Sequence, residues 1–176
     1  GLVRDDVTAL LMDEPLTVID PQLKFDLRKR IKQIVKGKNV TIIYVTHDQN
    51  EAMTFADELL VMSLGKLVQR GTPEELFERP NSRYVGHFIG SPAMNFIPAK
   101  VSQGVVKIGE STFQTSNKLR DNLNSSVDVG IRPEYVKIGS GNSSNSLTAN
   151  YHDASDMGPF RILNCSYENT PIKLKV

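Results

Sequence analysis

Two apolar runs constrain this chain more than anything else in it. Val7 to Met12 is almost continuously apolar and ends on two adjacent carboxylates, Asp13 and Glu14. Val40 to Val45, VTIIYV, is rich in β-branched residues and ends on Thr46, His47 and Asp48. Unbroken apolar runs of this length fit strands covered on both faces, as in a parallel sheet. Between them Leu23, Leu27, Ile31, Ile34 and Val35 recur at helical spacing and form one stripe. Asp20 is placed to cap that helix, Pro21 to take its first position and Gly37 to end it. Strand, helix, strand in this order predicts a right-handed parallel crossover. Lys24, Arg28, Lys29, Lys32 and Lys36 fall largely off the stripe and read as a solvated face, not a nucleic-acid surface.

The alternation continues for a while. Gln49 to Ala56 reads as a helix, Leu59 to Met62 as a third apolar strand, and SLGKL as the turn of a hairpin returning through Val68 to Arg70. Thr72-Pro73-Glu74-Glu75 is a capping box opening a short helix through Phe77, and Ser82 to Ile89 reads as another. After GSPAMNFIPA the character changes. From Lys100 onward short alternating segments follow one another, separated by Gly, Asn and Ser, as in a small β-barrel or sandwich. GSGNSSNS, residues 139–146, reads as a flexible loop in that half. The domain boundary is placed near Ser91 to Pro98, giving domains 1–92 and 93–176.

Composition removes several classes. A net charge of +1 supplies no global field for nucleic acid or an anionic surface. Cys165 is the only cysteine, so no internal disulfide forms. No apolar run approaches the roughly 20 residues of a membrane-spanning helix.

Chemistry concentrates where the two apolar runs end. In open parallel sheets, ligands bind outside the carboxyl ends of the strands. Asp13 and Glu14 stand there on the first strand and His47 on the second. Asp13 is the natural Mg²⁺ partner, since that ion keeps waters and borrows one or two carboxylates together with substrate phosphates. Glu14 offers a second carboxylate to a nucleophilic water. A positioned base supplies roughly 10²–10⁴-fold in rate. His47 offers a hydrogen bond to a terminal phosphate oxygen. Arg132-Pro133-Glu134 reads as a structural turn or a regulatory contact, the turn being the simpler account.

These segments resemble one family in order and spacing. The strand ending in MDEP looks like the Walker B motif of ATP-binding cassette (ABC) ATPases, LTVID like their D-loop, and THDQNEA like their H-loop. FIGSPAMNFIP is similar to the junction in importers of the maltose and glycerol-3-phosphate type. VGIRPEYVKI and DMGPFRILNCS resemble the regulatory barrels (TOBE, of the OB-fold type) appended to those ATPases. The fold implied is α/β plus β: part of a P-loop NTPase (RecA-like) parallel sheet with helices, then an OB-like β-barrel. Thr17 stands where the family's D-loop has Ser, and Ile19 where it has Leu.

The resemblance implies an ATP-hydrolysing subunit of an importer for a sugar, glycerol-3-phosphate or a related solute, with ATP and Mg²⁺ as cofactors. Asp13 would support the metal through water, Glu14 would polarise the attacking water, and His47 would contact the γ-phosphate. Asp20 would cross a dimer interface toward the nucleotide of the partner site. The implied partners are a second ATPase subunit, transmembrane permease subunits and, indirectly, a solute-binding protein, with no nucleic acid. The implied location is peripheral, on the cytoplasmic face of a bacterial or archaeal membrane. Neither Gly-x-x-x-x-Gly-Lys-Ser/Thr nor Leu-Ser-Gly-Gly-Gln occurs among the 176 residues. An internal fragment with little activity of its own is therefore expected. Two other readings compete: a regulatory, oxyanion-binding OB-type module beside an inert partial ATPase domain, and a DNA-maintenance ATPase of the same superfamily. The FIGSPAMNF junction and the β-half argue against the second.

Overall fold

The computed structural model describes residues 7–36, 38, 40–102, 105–114, 125–139 and 145–176. The chain divides into two compact units, residues 1–74 and 75–176.

In the first unit the two apolar runs form β1 (Ala9–Asp13) and β2 (Thr41–Val45), joined by α1 (Pro21–Lys36). They pair in parallel, from Ala9 opposite Thr41 to Asp13 opposite Val45. Glu14 N donates to Val45 O at 2.9 Å, which carries the ladder one residue past Asp13. The expectation of cover on both faces is not met among the described residues. Burial alternates: Leu10, Met12, Ile42 and Tyr44 are half-buried, while Leu11 is 74% and Ile43 51% exposed. Side chains alternate across a strand, so among the described residues one face of the pair stays open. The apolar run encodes a demand for cover but does not encode what supplies it.

α2 (Gln49–Phe55) is capped by Asp48, whose Oδ1 accepts from Asn50 N at 2.9 Å and Glu51 N at 3.2 Å. It packs against β2 through Tyr44 and Phe55, with ring centroids 5.0 Å apart. β3 (Leu59–Ser63) and β4 (Lys66–Gly71) form the predicted hairpin, antiparallel and separate from the parallel pair. Leu64 and Gly65 turn it with φ of 49° and 73°, the positive values that match strand twist in a two-residue loop.

Two short helices, α3 (Pro73–Glu78) and α4 (Arg83–Phe88), lead into the β-half. There β5 (Asn95–Ser102), β6 (Val105–Ile108), β7 (Ser111–Phe113) and β8 (Ser125–Ile131) make an antiparallel sheet in the order β7-β6-β5-β8. A 3-10 turn, Pro133–Tyr135, follows. Then β9 (Asn150–Asp156), β10 (Arg161–Tyr167) and β11 (Thr170–Lys175) make a second sheet, β11-β10-β9. The core is built from alternate residues: Ile97, Ala99 and Val101 of β5, Val106 and Ile108 of β6, and Ile172 and Leu174 of β11. Asn95 joins the sheets: its Nδ2 donates to Lys173 O and its Oδ1 accepts from Lys173 N, both at 2.8 Å.

β5 starts at Asn95, inside the stretch read as a junction. Pro98 hides the alternation there, since proline breaks a central strand. The fold tolerates it because β6 pairs with β5 only from Lys100 onward, so Pro98 has a neighbour on the β8 side alone. Most of the loop read at 139–146 lies outside the described residues.

Candidate active site

The site forms where β1 and β2 stop. Asp13 is the last residue of β1, exposed, and its register partner is Val45, so His47 lies two residues past that partner. Glu14 leaves the strand with φ of 44°. A non-glycine residue in that region costs of order 1–3 kcal/mol and persists only where its surroundings hold it. Here they do. Glu14 N is bound to Val45 O, and Thr17 Oγ1 donates to Glu14 O at 3.1 Å and to Glu14 Oε2 at 3.3 Å. The turn aims the carboxylate at the neighbouring strand, where Glu14 Oε1 meets His47 Nδ1 at 2.6 Å.

Each partner favours the charged form of the other. The hydrogen bond to His47 holds the Glu14 carboxyl below its usual 4.5, and the same bond raises His47 above 6.5, with a smaller push from the charge of Asp48. A ring that donates Nδ1–H to Glu14 and is also protonated at Nε2 has a second donor to offer. The imidazole is 70% exposed, so that donor faces solvent.

Asp20 caps α1, its Oδ1 accepting from Gln22 N at 2.9 Å. The capping role read from the sequence is therefore occupied in this chain. The structure brings Glu14 and His47 into contact and sets Asp13 beside them; Asp20 lies beyond the turn, at the start of α1. For Mg²⁺ the donor set is suitable but sparse. Asp13 provides a hard carboxylate oxygen, and among the described residues no group of three His, Cys, Asp or Glu side chains is placed to hold an ion. Mg²⁺ ordinarily keeps several waters and uses one or two carboxylates together with substrate phosphates.

Sequence reasoning missed Glu51. It is 3% exposed, deeper than any other carboxylate named here, and takes Lys24 Nζ at 3.2 Å and Arg28 Nη1 at 3.4 Å on Oε1. Tyr44 OH and Thr46 Oγ1 donate to its Oε2 at 3.0 and 3.2 Å. The available signal was Lys24 and Arg28, two cations four apart on one face of α1.

Known proteins resemble this chain over most of its length. Residues 90–136 match the MalK OB fold domain family. Over 163 residues, 93% of the chain, it is 37% identical to the sn-glycerol-3-phosphate import ATP-binding protein UgpC of Vibrio vulnificus (strain YJ016), covering 43% of that protein. This chain is a relative of the ABC importer ATP-binding subunits. It is also 42% identical over 142 residues to the oligosaccharides import ATP-binding protein MsmX of Bacillus subtilis (strain 168), covering 77% of this chain and 39% of that one. The same identity holds over 139 residues with UgpC of Vibrio cholerae serotype O1 (strain ATCC 39315 / El Tor Inaba N16961), 78% of this chain and 37% of that one. The chain thus spans roughly two fifths of the length of the curated relatives it matches. The β-half carries an OB-fold domain, and the first unit is a mixed α/β arrangement.

Proposed function

We propose that this chain carries the hydrolytic half of the nucleotide site of an ABC importer subunit, together with its regulatory barrel. The observation that carries the reading is the 2.6 Å contact between Glu14 and His47 beside Asp13, at the carboxyl edge of a parallel strand pair. In this reading residues 1–92 are part of a P-loop NTPase domain of the RecA-like kind, and residues 93–176 are the barrel domain. The transported solute is a sugar, glycerol-3-phosphate or a related compound, in line with the names of the relatives. The subunit works as a homodimer on the cytoplasmic face of the membrane, against permease subunits fed by a solute-binding protein.

Mg·ATP, when bound, supplies the electrophilic γ-phosphoryl group and the charge neutralisation that lets water approach it. The residues here would do the rest. Glu14, held ionised by His47, accepts a hydrogen bond from the attacking water and orients it. Asp13 orders the waters around the metal. His47 donates from Nε2 to a phosphate oxygen while Nδ1 stays on Glu14. Its raised pKa favours that doubly protonated ring. Asp20 holds the start of α1 and faces the partner subunit.

The phosphate-cradling loop and the signature motif do not occur among these residues. Titration of the 176-residue chain with Mg·ATP is therefore expected to give no micromolar binding. The decisive experiment joins this chain to the preceding segment of Vibrio vulnificus UgpC. The chimera should hydrolyse ATP, and Glu14→Gln should lower its kcat by roughly 10²–10⁴-fold. A chimera that hydrolyses ATP equally well with Glu14→Gln would sink the assignment.

A further inference from the structure

Glu51 has no part in the mechanism above, yet it is the most deeply buried acid described. A buried carboxylate is costly unless it is paired and hydrogen-bonded. An apolar side chain of similar volume would often serve packing as well or better. The partners of Glu51 divide by oxygen. Oε1 faces Lys24 and Arg28 of α1, and Oε2 accepts from Tyr44 of β2 and from Thr46. Thr46 Oγ1 in turn accepts from Asp48 N at 3.0 Å. Asp48 is fixed from its other side by capping α2. The residues on both sides of His47 are thus tethered, and one tether ends on Glu51.

We infer that Glu51 is a positioning residue: through Thr46 it sets the backbone that presents His47 to Glu14, and through Lys24 and Arg28 it ties that presentation to α1. As a statement about catalysis this rests on the function proposed above. As a statement about geometry it stands without it. Helix α1 is the element whose first turn Asp20 caps. A displacement of α1 would therefore reach His47 through a continuous chain of polar contacts, Lys24 and Arg28 to Glu51 to Thr46.

The test uses the 176-residue chain and long-range proton–nitrogen NMR of its imidazoles at one fixed pH, with His47→Gln assigning the signal. In the unsubstituted chain the His47 Nδ1 proton should be shifted downfield and protected by Glu14. Thr46→Val removes both bonds of the Thr46 hydroxyl, the one to Glu51 and the one from Asp48 N, without altering any charge. It should abolish that signature, moving the ring toward the spectrum seen in Glu14→Gln. Glu51→Gln should do the same, and Glu51→Asp should partly restore it. Glu58→Gln, which removes an exposed ion pair in the same unit, should leave the His47 signature unmoved. Amide protection of the β3–β4 hairpin reports folding. Should Glu51→Gln fail to fold, Thr46→Val decides alone. A folded Thr46→Val chain with an unchanged His47 Nδ1 signal overturns the inference. The readout needs no nucleotide, so that result would leave the ATPase reading intact.

Discussion

At the scale of single residues, the pair Glu14–His47 makes the site sensitive to pH in a defined direction. The folded pKa of His47 is raised, so its contribution to stability is fully present below 6.5 and is lost as pH rises through the folded value. The folded pKa of Glu14 is depressed, so its contribution is present above 4.5 and is lost as pH falls through the folded value. The paired charges are thus complete between 4.5 and 6.5, and the contact weakens on either side as each folded value is passed. Glu14→Gln should bring the His47 titration midpoint, followed by its ring protons, back toward 6.5. A midpoint that stays raised in that variant would show that another group supports the imidazolium. The sequence put Asp13, Glu14 and His47 at one edge because strand ends are set by apolar runs that can be counted. It did not put Glu51 among them. Helical position alone marks Glu51 as a first-turn acid, and its cationic partners, Lys24 and Arg28, lie more than twenty residues earlier.

At the scale of elements, the reading fared best where a local rule decides and worst where a side chain reaches across the fold. The Asp20 cap and the hairpin turn at Leu64-Gly65 are local and were legible. Arg132 was legible only in part. The turn beside it is present as the 3-10 segment Pro133–Tyr135, but Arg132 is 2% exposed and its guanidinium lies 4.2 Å over the Phe77 ring centroid. Arg132 Nε and Nη2 donate to Phe77 O at 3.1 and 2.8 Å, while Nη1 donates to Gly86 O at 2.9 Å and to Ile89 O. Arg132→Met would keep the volume and strand the carbonyls of Phe77 and Ile89, while Gly86 O keeps the hydrogen bond from Met94 N at 3.2 Å; each unmet buried group costs about 1–3 kcal/mol. A loss of at least about 2 kcal/mol in urea unfolding of the second unit is expected. Arg132→Lys should recover little, because an ammonium cannot reproduce the planar fork. Glycines in the same unit should rank by geometry. At Gly109, with φ of 54°, an added Cβ would meet Tyr167 OH at 2.0 Å; at Gly130 it would meet the flexible Met94 Sδ at 2.8 Å. Gly109→Ala should therefore lower the melting temperature more than Gly130→Ala.

For the molecule as a whole, the question is which stretch of chain the barrel needs in order to fold. The matched OB-fold domain begins at residue 90, whereas the compact unit that contains it begins at residue 75. The residues between are heavily invested in that unit. Leu76 and Val85 are 0% exposed and Ile89 is 2% exposed, and complete burial of such side chains contributes about 1.5–3 kcal/mol apiece. The carbonyls of Phe77, Gly86 and Ile89 are also the acceptors that make burial of Arg132 tolerable. A polypeptide of residues 93–176 would lose all of this and keep a buried cation without its partners. The loss is comparable to the roughly 5–15 kcal/mol of a whole small domain. Residues 75–176 should accordingly unfold in one cooperative urea transition, and residues 93–176 should show none. Equal midpoints for the two polypeptides would mean that α3 and α4 only lie along the barrel. The expected difference would mean that α3 and α4 are structural parts of the unit that carries the OB-fold domain. A movement of α3 or α4 would then reach the β-half through Arg132 instead of through a slack linker.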